Sequence, residues 1–192
     1  MNKSGIDALK RYPVFGIKDI ANVLKKSREY ASLVAYRLKK RGELQEIEKG
    51  KYTFESDPFV VASWIVWPSY ISSWAALNYY KMTEQLPFTI HIISTRKRKK
   101  KTVYFGNAAI EFIKIRQSAF LGYRRVGYQG RGIFVAEKEK AVVDALMAKK
   151  MSLPEAAEII KENRRKVSIR RLYCYAKNAR GLLKKLRREL EG

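Results

Sequence analysis

The chain has 192 residues, 46% of them hydrophobic and 12% aromatic, which is long for one compact unit and comfortable for two. Its 41 Lys+Arg against 18 Asp+Glu give a formal charge of +23, a balance that favours a polyanionic partner, although an anionic membrane surface or plain solvation would suit the same number. A single cysteine, Cys174, excludes an intramolecular disulfide and a cysteine metal cluster.

Residues 1–56 carry 13 basic and 7 acidic side chains. The opening Met1 to Gly5 has no apolar signal-peptide core, so a cytoplasmic location is expected. Ile6, Leu9 and Lys10 fit a short first helix that ends at Tyr12-Pro13. A second amphipathic segment runs from Gly16, with Ile17, Ile20, Ala21 and Leu24 at helical spacing. Ser27 is an N-cap for a third helix from Arg28, because its hydroxyl can accept an orphan backbone N–H. Ala31, Val34 and Leu38 form one face of that helix; Arg28, Ser32, Tyr36 and Lys39 form another, flanked by Lys40. Glu43 to Ile47 alternates like a strand, Glu48-Lys49-Gly50 makes a tight turn, and Lys51 to Phe54 returns.

Three helices followed by a basic-tipped hairpin is the order of a winged helix-turn-helix. In that arrangement the third helix enters the major groove, while Lys49 and Lys51 on the wing meet phosphate. Arg28 suits bidentate reading of guanine; Ser32 is ambiguous, and Tyr36 suits either the backbone or a thymine methyl.

Residues 57–95 are nearly neutral, with one basic and two acidic side chains. Phe59 to Tyr80 has 22 uncharged residues, enough to span a bilayer, but Pro68 and scattered serines divide it into two short buried elements. Its aromatics (Trp64, Trp67, Tyr70, Trp74, Tyr79 and Tyr80) read as core in preference to a base-stacking platform, since no Arg or Lys interleaves them. Ser69, before Ile71 to Leu77, looks like a helix start.

Residues 96–150 carry 15 basic and 4 acidic side chains. A strand over Phe88 to Ser94, bounded by Pro87, leads into Arg96, Lys97, Arg98, Lys99, Lys100 and Lys101, then a strand from Thr102 to Phe105. Six like charges in a loop repel one another unless a polyanion neutralises them, so the loop contacts phosphate or stays solvated. Ala109 to Ile115 gives a further strand. Arg124, Arg125 and Arg131 belong to a Gly-rich basic hairpin that lacks the Walker and dinucleotide patterns, followed by a strand over Ile133 to Ala136. Residues 137–150 are helical, with Lys140 and Asp144 an i,i+4 pair beside a core-facing Ala141, Val142 and Ala145. Another helix spans Glu155 to Asn163. Ser168 to Leu190 forms a basic amphipathic segment, broken near Gly181, that fits nucleic acid, a membrane surface or an acidic partner.

His91 and Cys174, each the only one of its kind, fall in different elements, and no Gly-x-Ser-x-Gly elbow is present. No enzymatic activity, metal or cofactor is therefore expected.

Several segments taken together resemble a known family. These are Gly50-Lys51-Tyr52, Asp57-Pro58, Pro68-Ser69-Tyr70-Ile71-Ser72, Ala76-Leu77-Asn78-Tyr79-Tyr80, Thr83-Glu84-Gln85-Leu86-Pro87, Phe120-Leu121-Gly122-Tyr123 and Ala136 to Asp144. Their order is similar to that of the AbiEi antitoxins of type IV toxin–antitoxin systems, and the last resembles an A-x-x-E-K-A-x-x-D helix start. The resemblance implies a regulator that binds operator DNA upstream of its own gene and counteracts a nucleotidyltransferase-like toxin. The lysine-rich loop and the tail after residue 150 are more basic than that pattern.

The expected fold is α+β. A winged helix-turn-helix over 1–56 precedes a mixed C-terminal domain over 57–150 with a small, mainly antiparallel sheet, and a basic helical extension over 151–192 packs on that domain. The expected function is sequence-specific double-stranded-DNA binding as antitoxin and autorepressor, by a monomer or a weak dimer on DNA, without membrane attachment. An RNA-binding protein using the loop and tail, or a stand-alone transcription factor without a toxin, is the alternative.

Overall fold

The computed structural model describes residues 3–84, 88–179 and 181–191. Met1 and Asn2 at the start, and Gln85-Leu86-Pro87 in the family-like run and at the expected strand boundary, lie outside the described residues.

The first 54 residues form α1 (Lys3–Leu9), β1 (Phe15–Gly16), α2 (Ile17–Leu24), α3 (Arg28–Lys40), β2 (Gln45–Glu48) and β3 (Lys51–Thr53). Ser27 caps α3 as its sequence position predicts, its hydroxyl accepting from the Tyr30 N–H at 3.3 Å. Ile6, Leu9, Ile20, Ala31, Val34 and Leu38 close a core with Phe15, Leu44 and Tyr52. The hairpin gains a third antiparallel strand, β1, in the order β1-β3-β2. At two residues β1 is too short to have a periodicity of its own.

A second, larger core holds the remaining elements: α4 (Pro58–Trp64), β4 (Ser69–Ser72), α5 (Ser73–Tyr79), β5 (Thr89–Ser94), β6 (Thr102–Phe105), β7 (Ala108–Lys114), β8 (Tyr123–Tyr128), β9 (Arg131–Ala136), α6 (Lys138–Met147), α7 (Leu153–Glu162), α8 (Ile169–Ala176) and α9 (Leu182–Glu191). Ser69 begins a strand and not a helix; α5 starts four residues later, at Ser73. Tyr70 and Ile71 have the bulk and branching of a buried strand, and the Ser69 hydroxyl donates to the Val66 carbonyl instead of capping a helix.

The sheet is larger than expected and mixed. Six strands run in the order β6-β7-β5-β4-β9-β8, with β5–β7 and β4–β9 parallel and the other three pairings antiparallel. Alternation along one strand fixes its faces but carries no information on the direction of its neighbour.

On one face, the Asp144 carboxylate of α6 accepts from Tyr70 at 3.1 Å and Ser72 at 2.8 Å, and it is paired with Lys140. This i,i+4 pair lies inside the core and not on a solvent face, with Lys140 3% and Asp144 2% exposed. Burial pushes the Asp144 carboxyl above its ordinary range, against the pull of Lys140, Ser72 and Tyr70. His91 is also buried, its Nε2 3.5 Å from Glu111, and burial lowers its imidazole.

The aromatic stretch supplies core. Tyr70 stacks on Tyr123 with ring centroids 4.7 Å apart, and Trp64 and Trp67 tilt against Phe134, although Trp67 keeps much of its surface exposed. Leu172, Ala176 and Leu186 of the basic tail are fully buried in this same core.

Candidate nucleic-acid interface

Burial of Ala31, Val34, Ala35 and Leu38 turns the rest of α3 outward. Arg28, Ser32, Tyr36, Lys39 and Lys40 are all exposed, Tyr36 by 62%. The Ser32 hydroxyl donates to the Arg28 carbonyl at 2.9 Å, which leaves its oxygen to act as an acceptor. Lys39 is ion-paired with Glu46 of β2, so it braces the helix against the hairpin. That contact holds the Glu46 carboxyl below its usual range. Tyr30 and Leu33 are also exposed, by 42% and 43%, and extend the outward face. Leu33 sits three positions before Tyr36, so the helical angle was available in the sequence, but its apolar character points to a core role.

The hairpin separates its two lysines. Lys49 is exposed at the tip, in a turn that Gly50 closes at φ +79°. Lys51 turns inward, 3.0 Å from the Glu48 carboxylate, and donates to the Ile65 carbonyl. Glu48 also accepts from Arg98 at 2.6 Å, and the Arg98 guanidinium lies 4.1 Å from the Phe112 ring centroid. Burial alone would raise the Glu48 carboxyl, but Arg98 and Lys51 together hold it below its ordinary value. Arg98 thus joins the basic loop to the hairpin, while Arg96, Lys97, Lys99, Lys100 and Lys101 remain exposed around it. Beside the loop runs a groove of about 580 Å³, lined by Arg96, Lys97, Lys101, Lys114 and Lys150 with Glu111 and Phe112.

The Gly-rich hairpin does not join this surface through its arginines. Arg124 and Arg125 lie on β8, at the opposite edge of the sheet from β6, five inter-strand steps or roughly 24 Å away. Arg131 is 2.5 Å from Glu55 and donates to the Lys10 carbonyl at 2.8 Å, so it braces the N-terminal residues. The two acids that organise the interface, Glu46 and Glu48, were not singled out in the sequence. Glu46 was legible in the alternation and Glu48 was read as part of the turn, but partners as distant as Arg98 leave no local signal.

A three-helix unit whose third helix carries an exposed polar face beside a hairpin is of the helix-turn-helix type. Residues 7–54, from the end of α1 through the hairpin, match the family model described as a transcriptional regulator, AbiEi antitoxin. The family-like segments from Asp57 to Asp144 lie beyond the matched residues. No curated protein matches the chain. Among the described residues, no helix is long and apolar enough to cross a membrane.

Proposed function

We propose that the chain is a sequence-specific double-stranded-DNA-binding transcriptional regulator without enzymatic activity. Residues 1–56 act as a winged helix-turn-helix: α3 reads the major groove and the β2–β3 wing lies along the backbone. The observation that carries this reading is the ion-paired series Lys39–Glu46, Glu48–Lys51 and Glu48–Arg98. It joins α3, the wing and the 96–101 loop side by side, and leaves Arg28, Tyr36, Lys40, Lys49 and most loop lysines exposed. A rigid reading helix flanked by uncompensated cations suits a duplex, whose bases specify and whose phosphates position. Lys39, Lys51, Arg98 and Arg131 act in this scheme as braces.

The family description of residues 7–54 supports a place in a toxin–antitoxin unit, with the chain as antitoxin and autorepressor and a nucleotidyltransferase-like toxin as partner. The remainder of the chain, as a mixed domain over 57–150 and a helical extension over 151–192, supports the loop and offers surface for that partner.

Substituting Arg28→Ala tests the base-reading assignment. A lost bidentate contact costs about 1–3 kcal/mol on the operator and relaxes discrimination at one base pair. Equal losses on operator and random duplex, in a binding titration, would remove Arg28 from base readout.

A further inference from the structure

Away from the helix–wing–loop surface, a small recess of about 140 Å³ opens where α5 ends and α6 begins. Arg124 of β8, Lys138 of α6, Lys166 of the α7–α8 turn and Arg171 of α8 converge on it around Tyr80. The Arg124 guanidinium and the Lys138 ammonium lie 5.7 and 5.6 Å from the Tyr80 ring centroid.

Two carboxylates also line the recess, and both have other partners. Glu137 accepts from the Tyr175 hydroxyl at 2.7 Å and lies 3.6 Å from Arg171, while Glu139 accepts from the Ser168 N–H at 2.7 Å. The two lysines donate to backbone carbonyls: Lys138 to the Lys166 carbonyl at 3.3 Å, and Lys166 to the Lys81 carbonyl at 2.8 Å. Four cations against two carboxylates leave an excess of two positive charges. The Tyr80 hydroxyl is shut off from solvent and lies beside the Arg124 guanidinium, which interacts with it. Burial raises the hydroxyl's pKa, against the pull of Arg124. The ten-residue α6 supplies two of the lining residues from its first turn and Glu137 from its N-cap position, which makes no side-chain cap, and its dipole adds to the positive field.

We infer that this recess binds a single phosphoryl-type oxyanion, with Arg124, Lys138, Lys166 and Arg171 as its charge partners. The volume admits one such group and leaves any larger remainder at the mouth. The site stands independently of the DNA-binding reading, because none of its residues lies on α3, the wing or the 96–101 loop.

Calorimetric titration of the full chain with inorganic phosphate, at constant ionic strength and against chloride, tests this directly. One saturable site is expected, weakened about tenfold by Lys138→Ala with Lys166→Ala and several-fold by Arg124→Gln. Lys99→Ala, in the distant basic loop, is expected to leave it unchanged. Arg124→Gln, at an exposed position on the edge strand β8, remains readable if the double variant does not fold. A parallel titration with a nucleoside 5′-monophosphate separates the sources: equal affinity assigns the site to the free anion, and tighter binding to the phosphoryl end of a larger ligand. Absence of a saturable site for both anions, or the same affinity in all the variants, would overturn the inference.

Discussion

Glu48 is the residue on which the interface turns, because one carboxylate holds Lys51 of the wing and Arg98 of the basic loop together. Its folded pKa lies below the ordinary 4.5, since the two cations outweigh the effect of burial. A depressed carboxylate stabilises the fold above its unfolded pKa, and that contribution is lost as the pH falls through the folded value. Glu48→Gln is therefore expected to lower the urea midpoint at neutral pH, with the two proteins converging below about pH 4. A constant offset across that range would mean that the pairings contribute no pH-dependent stability. At this scale the sequence was half legible. The Ser27 cap is a local signal and was readable; the inward turn of Lys51 and the burial of Lys140 with Asp144 depend on residues far away in the chain.

Among the elements, α3, the hairpin and helices α6 to α9 declare themselves through apolar spacing and caps, so they were legible to within a few residues. Ser69–Ser72 was not, because a short buried run reads alike as strand or helix, and an adjacent serine resembles a cap. The basic loop is the element with the clearest functional consequence. Arg98 fixes it beside the wing, so its free lysines are held where a backbone can reach them. Replacing Lys97, Lys99 and Lys101 together by alanine is expected to weaken operator and random duplex alike. The slope of log affinity against log salt should become shallower by about 1–3. An unchanged slope in a salt titration would return the loop to solvent.

For the whole molecule, the uneven charge was the most informative property of the sequence. Its neutral middle became α4, β4, α5 and β5 inside the larger core, while the basic 96–150 segment supplies the other four strands and carries most of its cations on the outer surface. The sequence did not reveal how that surface divides. The mixed strand order puts β8, with Arg124 and Arg125, at the opposite edge of the sheet from β6, where the 96–101 loop ends, and each region acquires different neighbours. Two basic regions that look equivalent in composition thus come to sit in different settings, one beside the wing and one beside the recess at Tyr80.

The central claim is that the helix and wing read duplex sequence while the charge adds affinity. A gel-shift titration against the DNA upstream of the chain's own gene tests it most directly, with random duplex and structured RNA as competitors at two salt concentrations. Preference for the upstream duplex that survives the higher salt is the predicted result. Tighter binding to RNA, or binding that collapses equally for every competitor as salt rises, would contradict it.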